Sequence, residues 1–366
     1  MATDENSKSS SATSTKVAKL VVKKIRKHED EGMIGGSFTF LAVKNHSNYL
    51  IATYGKGLKL VKNSEEIYKT ALPHPNSIIT AVRYIKDINA YLLCIGAKIY
   101  RKDINSLPHY LFIDIDVCYK PCGGFKYSSI NRKLIVARNY HNITLIDLKT
   151  RKLEVTMKKR RSPSTMDFVL LGDEEEFVLV ITSYRFISLY CLTRRYVAEV
   201  TGAMIWDYFV EQADDRIRET GYALKTDPTK KFVLAQLVIP GSPWRSSRIL
   251  IFEFLGKKLK LRGSFDALEN GVNSYIRICF APKIKVLRGD SIELFMFYIV
   301  PSGLVRLCAL EKVEKGEMNS DYALREVEGV GGVPFEASFP SEIQKVGSDI
   351  FYIGNDITVY KLNFEQ

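Results

Sequence analysis

Residues 143–153 read ITLIDLKTRKL, and the same pattern returns without gaps as ISLYCLTRRYV at 187–197 and ILIFEFLGKKL at 249–259. All three segments carry apolar residues at positions one, three, six and eleven, with a short polar turn between. Period-two alternation on both sides of a tight turn is the signature of two antiparallel strands. Weaker copies start at Leu58 (LKLVKNSEEIY), Ile99 (IYRKDINSLPH), Val305 (VRLCALEKV) and Ile357 (ITVYKLNF), making seven in all. Successive starts lie about 41 to about 62 residues apart, the interval of propeller blades with loop insertions.

Each copy follows two further strand-like runs. GGFKYSS and KLIVARN precede Ile143, MDFVLL and EFVLVITS precede Ile187, and WDYFVE and KFVLAQLVIP precede Ile249. Four strands per repeat make a small sheet whose two apolar faces only neighbouring repeats can cover. The expected fold is therefore all-β, a seven-bladed β-propeller of four-stranded antiparallel blades. The best helical window, Val210–Arg218, is short and polar.

The ends of the chain bear on the same expectation. The last copy stops at Phe364, where a fourth strand is due, while the chain opens with an unassigned strand, VAKLVVKKIR, at Val17–Arg26. Pairing the two closes the ring through an N-terminal strand on the last blade and covers an open sheet edge. Residues 1–16 are then a disordered tail, and residues 17–366 a single β-propeller domain. Two charged stretches, Glu211–Lys230 and Glu311–Pro334, read as long insertions.

At LIDLKTRKL the sequence resembles the end of a WD repeat, with Asp147 where the Asp of the Trp-Asp pair stands and Ile146 in place of Trp. The resemblance extends over nearly the whole chain as architecture and over this one repeat as motif. No Gly-His dipeptide occurs, and Trp206-Asp207 is read as the start of an innermost strand instead of as the family motif. What the resemblance implies is a non-catalytic interaction scaffold, not an enzyme.

Composition is consistent with a soluble globular chain: 46% hydrophobic and 26% charged residues are enough to build a sizeable core. No apolar run reaches the roughly 18 residues that span a bilayer, and the N-terminus has neither a signal-peptide core nor a transit-peptide composition. A cytoplasmic and/or nuclear location is expected. Cys94, Cys118, Cys122, Cys191, Cys279 and Cys308 fall mostly in apolar runs, as buried small hydrophobes and not a disulfide framework. Catalytic patterns are absent from the sequence. His28, His46, His74, His109 and His141 read as surface or turn residues without metal-ligand spacing, Gly329, Gly331 and Gly332 lack the Lys of a phosphate loop, and Glu174–Glu176 read as a solvated turn. No metal and no cofactor is expected.

The formal charge of +12 favours acidic protein, nucleic acid or anionic lipid as partner. In WD-type blades the turn between the second and third strands shares a face with the linkers between blades. Those turns hold Tyr54 and Lys56, Tyr140 and His141, Tyr184 and Arg185, and Trp244 and Arg245, an aromatic residue beside a base each time. The linker KKRRSPS adds Lys158, Lys159, Arg160 and Arg161. Cations and rigid aromatics together suit an acidic or phosphorylated protein partner. KKRRSPS also reads as an import signal with a phosphorylatable Ser162. Nucleic-acid or chromatin binding is the alternative. A phosphoinositide site would need a Phe-Arg-Arg-Gly motif, and the nearest match, Thr193–Tyr196, lacks the Gly.

Overall fold

A computed structural model describes residues 19–28, 39–53, 57–70, 79–96, 98–105, 110–114, 124–138, 142–158, 165–172, 176–182, 186–191, 204–209, 220–227, 230–238, 247–266, 277–280, 292–299, 305–312, 322–326, 342–346, 349–353 and 358–365. Apart from one 3-10 turn at Lys86–Ile88, every regular element among them is a strand. They pair, all antiparallel, into seven four-stranded sheets. β1 (Lys19–Lys27) comes first in the chain. Sheet one runs β2 (Thr39–Asn45), β3 (Asn48–Thr53), β4 (Gly57–Lys62), β5 (Glu65–Thr70). Sheet two runs β6 (Ile79–Ile85), β7 (Ala90–Ile95), β8 (Lys98–Asp103), β9 (Tyr110–Asp114). Sheet three runs β10 (Phe125–Ser128), β11 (Lys133–Arg138), β12 (Asn142–Asp147), β13 (Leu153–Lys158). Sheet four runs β14 (Thr165–Leu171), β15 (Phe177–Thr182), β16 (Phe186–Cys191), β17 (Met204–Phe209). Sheet five runs β18 (Thr220–Thr226), β19 (Phe232–Val238), β20 (Ser247–Phe254), β21 (Leu259–Asp266). Sheet six runs β22 (Arg277–Phe280), β23 (Ile292–Ile299), β24 (Val305–Lys312), β25 (Tyr322–Glu326). Sheet seven runs β26 (Glu342–Val346), β27 (Asp349–Ile353), β28 (Thr358–Glu365) and then β1.

The repeat starts Leu58, Ile99, Ile143, Ile187, Ile249 and Val305 all lie on the third strand of a sheet, and Ile357 immediately precedes β28, which holds the same place. Two expectations change. WDYFVE is not the first strand of sheet five: Trp206 and Asp207 lie on β17, the outer strand of sheet four, with Trp206 opposite Leu189. The first strand of sheet five is β18, inside the stretch read as an insertion, and 311–334 likewise contains β25. The reason is local. Twelve residues separate β16 from β17, so the tight turn expected within ISLYCLTRRYV is replaced by a longer connection to the true outer strand. Residues 1–16 and the window 210–218 lie outside the described residues.

The long apolar runs of the second strands follow from burial on both faces. In β15, Val178 and Val180 pack with Ile135, Ile143 and Leu145 of sheet three. The alternate residues Phe177, Leu179 and Ile181 pack with Leu224, Val233 and Ala235 of sheet five. β7 divides the same way: Leu92 and Cys94 face sheet three, and Tyr91, Leu93 and Ile95 face sheet one. Each fully buried Leu, Ile or Val stabilises the packed state by about 1.5–3 kcal/mol. Sheet one in turn packs on sheet seven, with Leu41, Val43 and Ile51 against Val359, Ile25 and Val346. Contacts of β18 with β22 and of β22 with β26 join sheets five, six and seven.

Outer strands carry a second mark of the repeat. Pairing of third with fourth strand slips by one residue at Leu60/Val61, Leu145/Ile146, Leu189/Tyr190 and Ile251/Phe252, the third and fourth positions of each copy. Sheet seven does the same opposite Val359 and Tyr360. The extra residue always sits on the outer strand, where a bulge twists a free edge away from pairing with another sheet.

β1 belongs to the last sheet, with Leu20 opposite Phe364 and Val22 opposite Leu362. Its end reaches sheet one. Arg26 donates to the Ser64 carbonyl, and His28, buried, lies with Nε2 3.0 Å from the Tyr49 hydroxyl and Nδ1 3.5 Å from Glu66 Oε2. Burial pushes the Tyr49 hydroxyl up to about 12. Burial, then the Arg26 charge, hold His28 below its ordinary value, against the opposing pull of Glu66. Cys191 is a buried thiol, whereas Cys94 is disulfide-bonded, a departure from the pattern expected of the cysteines.

Deleting residues 1–27 is expected to lower the melting temperature by about 10 °C or more, since it strips β28 of its outer partner; unchanged melting would make β1 a dispensable arm. A His whose folded pKa is depressed binds its proton more readily when unfolded. Stability is therefore complete above the ordinary 6.5 and falls as pH drops below it towards the depressed folded value. Between about pH 7.5 and about pH 5.5 the melting temperature should fall less in His28→Gln than in the unaltered chain.

Candidate interaction surface

Tyr54, Lys56, Tyr140, His141, Tyr184, Arg185, Trp244, Arg245, Lys159, Arg160 and Arg161 lie outside the described residues. Lys158 is the exception in backbone: it ends β13 opposite Asn142, itself opposite Arg138. This puts it at the end of sheet three where β11 turns into β12. The strands flanking the other turns pair to their last residues in the same sense, with Thr53 opposite Gly57 and Val238 opposite Ser247.

The opposite ends of the sheets, carrying the turns from first to second strand, are joined by side-chain bonds. Lys44 of sheet one donates to Asn89 Oδ1 of sheet two at 2.9 Å, and Tyr84 donates to the same oxygen. Tyr127 of sheet three donates to Asp87 of sheet two. From sheet three, Ser128 and Asn131 both donate to Glu176 Oε2 of sheet four, Asn131 at 2.7 Å. Lys230 of sheet five donates to the Gly172 carbonyl of sheet four at 2.6 Å. Nearer the inner strands, Asp167 of β14 accepts the Leu224 N–H of β18 at 3.0 Å and faces Lys126 of β10 at 4.0 Å.

Single turns are built the same way. Asp147 accepts the Lys149 and Thr150 N–H groups at 3.0 and 2.7 Å, and Arg151 takes φ 59° to close the β12–β13 hairpin. The Thr150 backbone bond, followed by weaker contacts, holds the Asp147 carboxyl below its usual range. Buried Asp227 accepts the Phe232 N–H at 2.7 Å across the β18–β19 turn. Asp147, singled out by the repeat motif, thus works as a turn former.

These acids accept hydrogen bonds from the protein's own donors. Among the described residues no group of His, Cys, Asp and Glu is placed to hold a metal ion. Two sequence readings change. Glu176, taken with its neighbours as solvated, is buried, and His28, taken as a turn residue, is buried against Tyr49. Neither partner set is near in sequence, so no local pattern could have revealed them.

No family model matches the chain, and no curated protein sequence matches it. Solved structures do. The WD40 β-propeller domain of Doa1 superposes with a TM-score of 0.59 at 10% identity, covering 96% of this chain and 98% of that one. The β-propeller domain of Myceliophteria thermophila Cps50 (Swd1) gives a TM-score of 0.59 at 12% identity, covering 94% of this chain and 100% of its own. The chain therefore has the fold of a WD40 β-propeller domain. Among the described residues, no helix is long and apolar enough to cross a membrane.

Glu176→Ala removes the shared acceptor of Ser128 and Asn131 between sheets three and four. It should cost about 2 kcal/mol, read from the denaturant midpoint at unchanged slope.

Proposed function

We propose that residues 17–366 form one closed propeller of seven blades, fastened by β1, and that it serves as a non-catalytic protein-interaction scaffold within a larger complex. Its partner is an acidic or phosphorylated protein, bound where second strands turn into third strands. The observation that carries this reading is the order of packing: each sheet contacts the next, and sheet one contacts sheet seven. In that arrangement the strand ends flanking residues 54–56, 139–141, 183–185 and 239–246 gather on one side, with Lys158 at the same end of sheet three. Aromatic residues give rigid contact area and the bases give charge-assisted bonds, the combination enriched at interface hot spots. Likeness to WD40 propellers supports the scaffold class, and the +12 charge supports the sign of the partner. The same basic linker suits a protein that works in the cytoplasm or the nucleus.

The test is affinity capture from cell extract by the full chain, at moderate and high salt, with and without nuclease. A protein partner stays bound after nuclease treatment; loss on nuclease treatment, with a steep loss in salt, assigns the charge to nucleic acid instead. Replacing Tyr184, Arg185, Trp244 and Arg245 together should weaken capture on the order of a hundredfold with melting unchanged. Undiminished capture would remove this side from consideration.

A further inference from the structure

The end of sheet three opposite Lys158 has a composition of its own. Its two turns, 129–132 and 148–152, lie side by side, because Lys133 pairs with Asp147 and the Asp147 N–H donates to the Lys152 carbonyl. Residues 129–133 and 147–153 together hold five bases, Arg132, Lys133, Lys149, Arg151 and Lys152, against the single acid Asp147. Arg132, Lys149, Arg151 and Lys152 are exposed. Two aliphatic side chains stand among them in water, Ile130 at 44% and Leu153 at 49% exposure.

The surface is also held in shape. Asp147 fixes the β12–β13 turn through two backbone N–H groups, and the Arg151 guanidinium lies 4.7 Å above the Phe112 ring of sheet two. Asn131 and Ser128 tie the other turn to Glu176 of sheet four, and Tyr127 ties β10 to Asp87 of sheet two. Asp87, Asp147 and Glu176 are each engaged by the protein's own donors, so the exposed side chains of the patch are cationic and aliphatic together.

From this juxtaposition we propose that the Ile130–Lys133 and Lys149–Leu153 turns form a docking surface for an anionic lipid bilayer. The exposed lysines meet headgroup charge, while Ile130 and Leu153 enter the boundary between headgroups and acyl chains. Turns at a sheet end project outward, which suits a broad charged surface. Exposed large hydrophobics among the described residues are all Ile or Leu, which offer nucleic-acid bases no ring to stack on. This surface is at the other end of the sheet from the proposed protein-binding side and does not depend on it.

Co-sedimentation of the full chain with phosphatidylcholine vesicles, with and without phosphatidylserine, tests the proposal. Binding is expected only with phosphatidylserine. Lys149→Glu with Lys152→Glu should reduce partitioning on the order of tenfold or more. Ile130→Ser with Leu153→Ser, which leaves the charge unchanged, should reduce it also. Lys23→Glu with Lys24→Glu, on β1, makes the same change of charge elsewhere and should bind as the unaltered chain does. The proposal fails if phosphatidylserine gives no preference, if either patch variant partitions normally, or if the β1 variant loses as much as the patch variant. It fails too if the chain ignores vesicles but captures polyglutamate through Lys149 and Lys152, since the patch is then a peptide site. Melting curves of all three variants should match the unaltered chain.

Discussion

A four-stranded sheet with two apolar faces has no way to satisfy itself, and in this chain that constraint governs everything else. In β15 successive residues belong to different cores, Val178 and Val180 to one and Leu179 and Ile181 to another. A sheet so built is stable only between two others. Because interiors are packed at crystal-like density, the spacing and twist of each pair are fixed by the side chains between them. The repeat is thus less a sequence motif than a unit of mutual burial, which is how identities of 10% and 12% coexist with overlap along nearly the whole chain.

Polar groups do a complementary job at the sheet ends. Apolar packing is tolerant of sliding, but the bonds from Lys44 to Asn89, Asn131 to Glu176 and Lys230 to Gly172 are directional and hold one turn against the next. Burying Glu176 is sustained by two donors converging on one oxygen. A propeller with no Gly-His dipeptide in its sequence reaches rigidity through bonds between sheets, drawn from whatever polar residue each turn supplies.

Much of the fold could be read from the chain because third strands and their turns are continuous in sequence. ITLIDLKTRKL contains its own strand, turn residue and bulge position, so Asp147 stands out. Legibility failed where the chain leaves that hairpin: a longer connection after Cys191 hid β17 as an outer strand and made β18 look like part of an insertion. Sites proved harder than strands. Glu176 and His28 owe their burial to Asn131, Ser128 and Tyr49, residues brought near only by folding. The amphiphilic end of sheet three was present in the letters LKTRKL, yet exposure of Leu153 on an outer strand is a tertiary fact.

The position of β1 has a bearing on biosynthesis. It leaves the ribosome ahead of the other described strands, while its mate β28 follows all of them. Throughout that wait a hydrophobic segment must avoid sticking to itself or to neighbouring nascent chains. Its sequence, KLVVKKIRK, answers the need with five positive charges in nine residues, gatekeepers that keep the waiting strand dissolved until its partner emerges.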